Sequence, residues 1–220
     1  METIPMIRAG LLFALLFWGS SAFSMPFTSV ITGADMSGMA VTATFADGST
    51  ETAIWATTST NGAIPFGEGY AGAATGTGWS LAQQGFTLGN FTGGPGGSPL
   101  GVWTFNSAAG ALAIASVEIN AIIAGIVFDV KEAVFTPGSG VGREFLADTS
   151  STVPSSYSYG SLISSPDLYG TLSMSWDNGF AAGSTLRFMA DTDKIPEPPT
   201  VLLMTLGLLG LVFGAKKKMA

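Results

Sequence analysis

The chain of 220 residues contains no cysteine and no histidine. Those two absences exclude a disulfide scaffold, a cysteine nucleophile, a zinc finger, a Cys-ligated Fe–S cluster and a Ser-His-Asp triad. Imidazole, the usual general base near neutral pH, is missing too. Any catalyst would have to work with carboxylates, Lys, Tyr or Ser, and no enzymatic activity is expected. Charge is also scarce: Asp, Glu, Lys and Arg make up 10% of the chain, against roughly 25% in an ordinary soluble domain. What fills the space is glycine, at 30 residues, and hydrophobic side chains, at 47%.

The few charges are unevenly placed. The whole chain carries a formal −7, but Arg8, Lys216, Lys217 and Lys218 sit in its two ends. Between them, 13 acidic and 4 basic residues give the body a net −9. A surface of that sign repels phosphate backbones, so nucleic acid is not an expected partner. The same sign favours solubility and divalent cations.

The two ends read as targeting segments. After Arg8, residues 9–18 form the apolar run AGLLFALLFW, followed by the small residues GSSAFS. Ala22 and Ser24 stand in the small-x-small arrangement of a signal-peptidase site, and ten apolar residues suit a signal-peptide core rather than a membrane span. Residues 1–24 are therefore read as a signal helix cleaved after Ser24, with Ala22 as the alternative site. At the other end, Pro196, Glu197 and Pro198 precede the uncharged run 200–215, TVLLMTLGLLGLVFGA, and the basic tail 216–218. Sixteen apolar residues fall just under the roughly 17–25 of a spanning helix. Pro199 suits the first turn of that helix, because the missing N–H has no partner there anyway. The lysines would halt translocation and keep the end in the cytoplasm.

A Pro-Glu-Pro triplet, a short apolar helix and a basic tail in that order resemble the bacterial PEP-CTERM sorting signal. The resemblance covers residues 195–220 and assigns Pro196, Glu197 and Pro198 to recognition and Lys216, Lys217 and Lys218 to stop-transfer. It implies an exosortase as partner, a membrane cysteine protease-transpeptidase that processes the chain at the inner membrane. The upstream domain would then pass to the cell surface or the exterior, in bacteria that often make exopolysaccharide.

Residues 25–194 form the domain between. Periodicity there points to strands. In 39–45 (MAVTATF), Val41, Ala43 and Phe45 alternate with threonines, and Asp47-Gly48 gives a hairpin signal before 49–57. Further strands are expected over 27–32, 79–88, 102–105, 112–119, 125–130, 168–176 and 185–190, separated by Gly, Ser, Pro and Asn clusters. Residues 108–124 are rich in Ala and Ile and could compete as a helix. Their β-branched content and the alternation through Val117 and Ile119 favour strand. Many short strands with regular turns predict an all-β fold, a two-sheet antiparallel β-sandwich of jelly-roll type.

The body also contains Thr32-Gly33-Ala34-Asp35-Met36-Ser37-Gly38-Met39, Thr44-Phe45-Ala46-Asp47-Gly48-Ser49 and Thr77-Gly78-Trp79-Ser80-Leu81. Val127-Phe128-Asp129, Thr136-Pro137-Gly138-Ser139, Asp167-Leu168-Tyr169-Gly170 and Phe188-Met189-Ala190-Asp191-Thr192-Asp193 follow. In this order the segments are similar to a domain found in many PEP-CTERM proteins. That resemblance implies one β-rich domain without repeats and without an assigned biochemical activity.

Gly67-Glu68-Gly69-Tyr70-Ala71-Gly72 spells the dinucleotide fingerprint, but no helical pattern follows, so it reads as a glycine-rich loop. Asn90-Phe91-Thr92 is a glycosylation sequon with little meaning in a bacterial chain. The aspartates carry the remaining chemistry. Asp191 and Asp193, two apart, share one face of an extended strand about 7 Å from each other. The plain reading is a solvated polar exit balanced by Lys194. The sharper one is a structural Ca²⁺, the only cofactor contemplated, with Asp167, Asp129 and Asp35 as further oxygen donors.

Two other functions compete with a non-catalytic surface or matrix protein associated with exopolysaccharide. A Ca²⁺-dependent carbohydrate-binding module would stack sugars on Trp55, Trp79, Trp103, Trp176 or several of the tyrosines, although aromatics more often fill a sandwich core. An envelope glycosidase would need a carboxylate pair drawn from Glu51, Glu68, Glu118, Glu132 and Glu144.

Overall fold

The computed structural model describes residues 31–60, 69–89, 91, 101–133 and 140–195. The expected signal helix over 1–24, the expected membrane helix over 200–215, the Pro-Glu-Pro triplet and the lysine tail lie outside the described residues. Among the described residues, no helix is long and apolar enough to cross a membrane. Residues Pro26–Ile195 make one compact unit.

The described chain is β throughout, apart from two short 3₁₀ turns at Gly33–Met36 and Ile122–Ala124. The strands are β1 (Ala40–Phe45), β2 (Thr50–Ile54), β3 (Ala56–Thr60), β4 (Tyr70–Gly76), β5 (Trp79–Gln84), β6 (Trp103–Ser107) and β7 (Ile114–Asn120). They continue as β8 (Ile126–Asp129), β9 (Leu146–Ala147), β10 (Ser156–Ser164), β11 (Leu168–Phe180), β12 (Thr185–Met189) and β13 (Asp191–Lys194). One sheet runs β13-β8-β11-β7-β1-β2, with β10 also paired to β11, and the other runs β3-β4-β5-β6-β12-β9. All pairings are antiparallel.

The two-sheet antiparallel reading therefore holds, but the connectivity departs from a jelly roll. Strands β3 to β6 follow one another as a meander within one sheet, where two Greek keys would return the chain by long connections. Short turns between successive strands favour neighbours in sequence as neighbours in the sheet.

Local chemistry explains several elements. The Asp47-Gly48 turn forms as its sequence predicts: Gly48 has φ +85°, and Asp47 Oδ1 accepts hydrogen bonds from the Ser49 amide and hydroxyl at 2.9 and 2.6 Å. The strand expected over 49–57 is instead divided at Trp55, with β2 in one sheet and β3 in the other. Trp55 is buried and its indole N–H donates to the Gly33 carbonyl at 2.8 Å. Its ring occupies the space that a Cβ on Gly72 would need. The glycine of the apparent dinucleotide fingerprint is thus a packing glycine inside β4, and a strand, not a helix, follows Gly69.

Segment 108–124 resolves as strand β7 plus one 3₁₀ turn. Of the strand expected over 27–32, the described residues Ile31 and Thr32 contribute one isolated bridge, Thr32 to Phe86. Four strands have little signal in the sequence, one of them the two-residue β9. β4 is Gly- and Ala-rich, β10 is Ser- and Tyr-rich, and β13 reads as a polar exit.

The core lies between the sheets and is aromatic. Phe105 on β6 sits 5.0 Å from Phe180 and 6.1 Å from Trp176, both on β11 in the opposite sheet. Trp103 on β6 contacts Phe128 on β8 at 6.4 Å, Phe188 at 5.7 Å and Trp55 at 5.4 Å. The Trp103 indole N–H donates to the Ala190 carbonyl at 3.0 Å, which removes the cost of burying it. Trp79 is satisfied similarly, by Glu51 Oε2 at 2.8 Å. Because Phe105 touches both layers and is fully buried, Phe105→Ala should cost about 3–5 kcal/mol in chemical denaturation.

Candidate metal centre

Strands β8 and β13 pair so that Asp129 stands directly opposite Asp191, and Val127 opposite Asp193. Cross-strand partners and i, i+2 neighbours share a face, so the three carboxylates converge. Phe128, which alternates with Asp129, points into the inter-sheet core. The aspartates therefore project from the other face of that sheet. They are nonetheless buried, at 0% exposure for Asp129 and Asp193 and 1% for Asp191. The solvated-exit reading of Asp191 and Asp193 is corrected here: β13 is drawn into the sheet and covered.

The cover comes from two stretches of chain. The Gly140 amide donates to Asp193 Oδ2 at 3.4 Å. Arg143 bridges the pair through its backbone, its N–H donating to the Asp129 carbonyl at 2.9 Å and its carbonyl accepting from the Asp191 amide at 3.1 Å. Gly142 lies so close to Asp129 that a Cβ there would collide with the carboxyl group. On the other side Thr87, three residues beyond β5, donates from its hydroxyl to Asp191 Oδ1 at 3.0 Å. The Lys131 amide donates to Asp129 Oδ1 at 3.3 Å.

One carboxylate oxygen from each of Asp129, Asp191 and Asp193 lies within 4.8 Å of the others. Asp129 Oδ2 and Asp193 Oδ1 are buried without a hydrogen-bond partner. Among the described residues no Lys or Arg forms an ion pair with any of the three; Arg187 pairs with Asp148 at 3.1 Å. Asp167, at the turn into β11, is also fully buried but lies outside the group of three. Asp35 is committed elsewhere, its Oδ2 accepting from the Thr32 amide at 2.8 Å as a cap on the first 3₁₀ turn. Three of the four principal aspartate candidates, Asp129, Asp191 and Asp193, are thus brought together.

Burial has an electrostatic consequence. Desolvation raises Asp191 to about 8, with the neighbouring Asp193 carboxylate adding to the shift. Desolvation likewise pushes Asp129 and Asp193 up to about 6, with the Asp167 charge contributing to both. The backbone amides of Lys131 and Gly140, donating to these carboxylates, act in the opposite direction. Like charges in a poorly solvated site repel unless protons or a cation neutralise them.

The glutamates are differently placed. Glu51 accepts from the Thr77 amide at 2.9 Å and from the Trp79 indole at 2.8 Å, which holds its carboxyl below the usual range. It ties the β4–β5 turn to β2. Glu118, Glu132 and Glu144 are exposed, and Glu68 lies outside the described residues. All four tryptophans considered for sugar stacking, Trp55, Trp79, Trp103 and Trp176, are buried, as the core reading anticipates.

Immediately beyond the site, the chain enters its sorting segment. Residues 194–218 match the family model of the PEP-CTERM protein-sorting motif. The chain carries a PEP-CTERM motif. The match starts at Lys194, the last residue of β13, and indicates an exported protein sorted by an exosortase. No curated protein and no solved structure matches the chain.

The sign of the pH dependence follows from the raised aspartates. The native state holds protons that the unfolded chain, with aspartates at 3.8, has already released. Stability of the cation-free protein should therefore fall as pH rises from about 4 to about 8 and level off above. Thermal melts in EDTA across that range measure it, and a flat profile would contradict the desolvation.

Proposed function

We propose that this PEP-CTERM chain is a non-catalytic component of the cell surface or extracellular matrix, delivered through an exosortase and retained there with exopolysaccharide. The observation that carries the reading is the sorting-motif match at 194–218. It supports an inner-membrane stage in which residues 200–215 anchor the chain and Lys216, Lys217 and Lys218 hold its end, with residues 1–24 removed as the export signal. The resemblance of the body to a domain common among such proteins points the same way.

The arrangement of carboxylates supports a structural rather than a catalytic role. A glycosidase needs one carboxyl of raised pKa beside a second, in a cleft a sugar can enter. Among the described residues the raised carboxyls are Asp129, Asp191 and Asp193, closed off from solvent. A Ca²⁺-dependent lectin-like module needs a cation open to sugar hydroxyls or an exposed aromatic platform. The aspartates and the tryptophans Trp55, Trp79, Trp103 and Trp176 are buried, and the exposed Tyr157 leans on Phe145 and Tyr159 at ring distances of 4.6 and 6.2 Å.

Two experiments test the proposal in the native host. Glu197→Ala should leave uncut precursor in the membrane fraction, seen as a heavier band on immunoblots; normal processing of the variant defeats the sorting reading. In a strain unable to make exopolysaccharide, the processed protein should move from the cell-associated fraction into the medium. Unchanged retention defeats the polysaccharide association.

A further inference from the structure

We propose that Asp129, Asp191 and Asp193 bind a Ca²⁺ ion that clamps β13 onto β8. The site is distinct from the sorting function, and failure of either leaves the other standing. Four observations carry it. The three carboxylates converge within 4.8 Å, on two paired strands. Ligands around one Ca²⁺ at 2.3–2.6 Å from the ion lie no more than about 5 Å apart. Two of their oxygens, Asp129 Oδ2 and Asp193 Oδ1, are fully buried with nothing to accept from, although buried carboxylate oxygens almost always find a partner. Among the described residues, no basic side chain pairs with the group.

The donor chemistry selects the ion. Every donor is a hard oxygen, and the chain has neither the thiolate nor the imidazole that zinc or copper would prefer. Three carboxylates, mono- or bidentate, supply between three and six of the six to eight oxygens that Ca²⁺ takes. Mg²⁺ keeps several of its waters and demands a near-ideal octahedron, which a closed site held by Thr87, Gly140 and Gly142 does not favour.

The consequence is mechanical. Strand β13 has four residues and joins β8 through Asp191, Thr192, Asp193 and Lys194. Without a cation, the Asp129–Asp191 pair, once ionised, places like charges directly opposite, the least favourable cross-strand combination. With one, the same pair becomes a crosslink between the last described strand and the body. The sorting segment begins at Lys194, so the ion fixes the point at which the folded body ends.

The test uses the full chain purified in detergent, stripped with EDTA and titrated with Ca²⁺. Ca²⁺ at a hundredfold excess over its Kd should raise Tm by about 5–10 °C. Amide exchange at Thr192, Asp193 and Lys194 should slow. The Asp129→Asn/Asp193→Asn variant keeps the side-chain volumes, removes two charges and should lose the Ca²⁺ response. Asp35→Asn, at an acid outside the site, should retain it. The proposal is overturned if wild-type protein shows neither the Tm shift nor slowed exchange, or if the double variant keeps the full shift. An equal shift from Mg²⁺ at the same concentration overturns the assignment to Ca²⁺. If the double variant lacks a cooperative transition, exchange in wild-type protein with and without Ca²⁺ decides alone.

Discussion

Everything in this fold hangs on the aromatic contact between its two sheets. The chain has no disulfide to hold them together, and each sheet alone would expose one apolar face. Trp103 and Phe105 on β6 supply the join, meeting Phe128, Trp176 and Phe180 on the facing sheet. Because two indoles in this seam donate inward, to Ala190 and Gly33 carbonyls, the rings sit in one orientation. The seam thereby fixes not only the spacing of the layers but also where the backbone around Ala190 and Gly33 must run.

That fixed backbone explains the cost carried by the aspartates. Ala190 is bonded to Trp103, and the next residue, Asp191, must continue along β8 opposite Asp129. The aromatic core thus constrains the strand whose acidic side chains repel one another. Thr87 and the Gly140–Arg143 stretch then close over them, and Gly142 can lie there because it lacks a Cβ. A soluble domain has no reason to bury three carboxylates for stability alone, since desolvation of unpaired charge is unfavourable. Their convergence at the last strand before the sorting segment ties the body's weakest electrostatic point to its exit.

Parts of this were readable from residue patterns. Alternation in 39–45 and the Asp47-Gly48 pair gave β1, its turn and the start of β2, because these depend on nearest neighbours only. Tryptophans read as core proved to be core. Strand β4 was not readable, since Gly and Ala have low strand propensity and its pairing with β3 and β5 overrides that preference. The break at Trp55 was also hidden, because one ring finding space beside Gly72 decides it. For the candidate site, the residue types were visible and the i, i+2 spacing put Asp191 and Asp193 on one face. Their burial is not visible in the sequence: Lys194 beside them suggests solvent, while distant segments around Thr87 and Gly142 exclude it.

Composition and order by themselves determined that the body is β-rich, acidic and free of thiol and imidazole chemistry. They also determined that a sorting segment follows it. Such properties belong to local runs and need no knowledge of what lies across the fold. Only the tertiary structure decided that Asp129, 62 residues before Asp191, stands opposite it. Strand pairing across a long connection brings the two together, and burial turns scattered acids into one site. The low surface charge therefore has a structural counterpart: four of the body's acids, Asp129, Asp167, Asp191 and Asp193, are withdrawn from its surface.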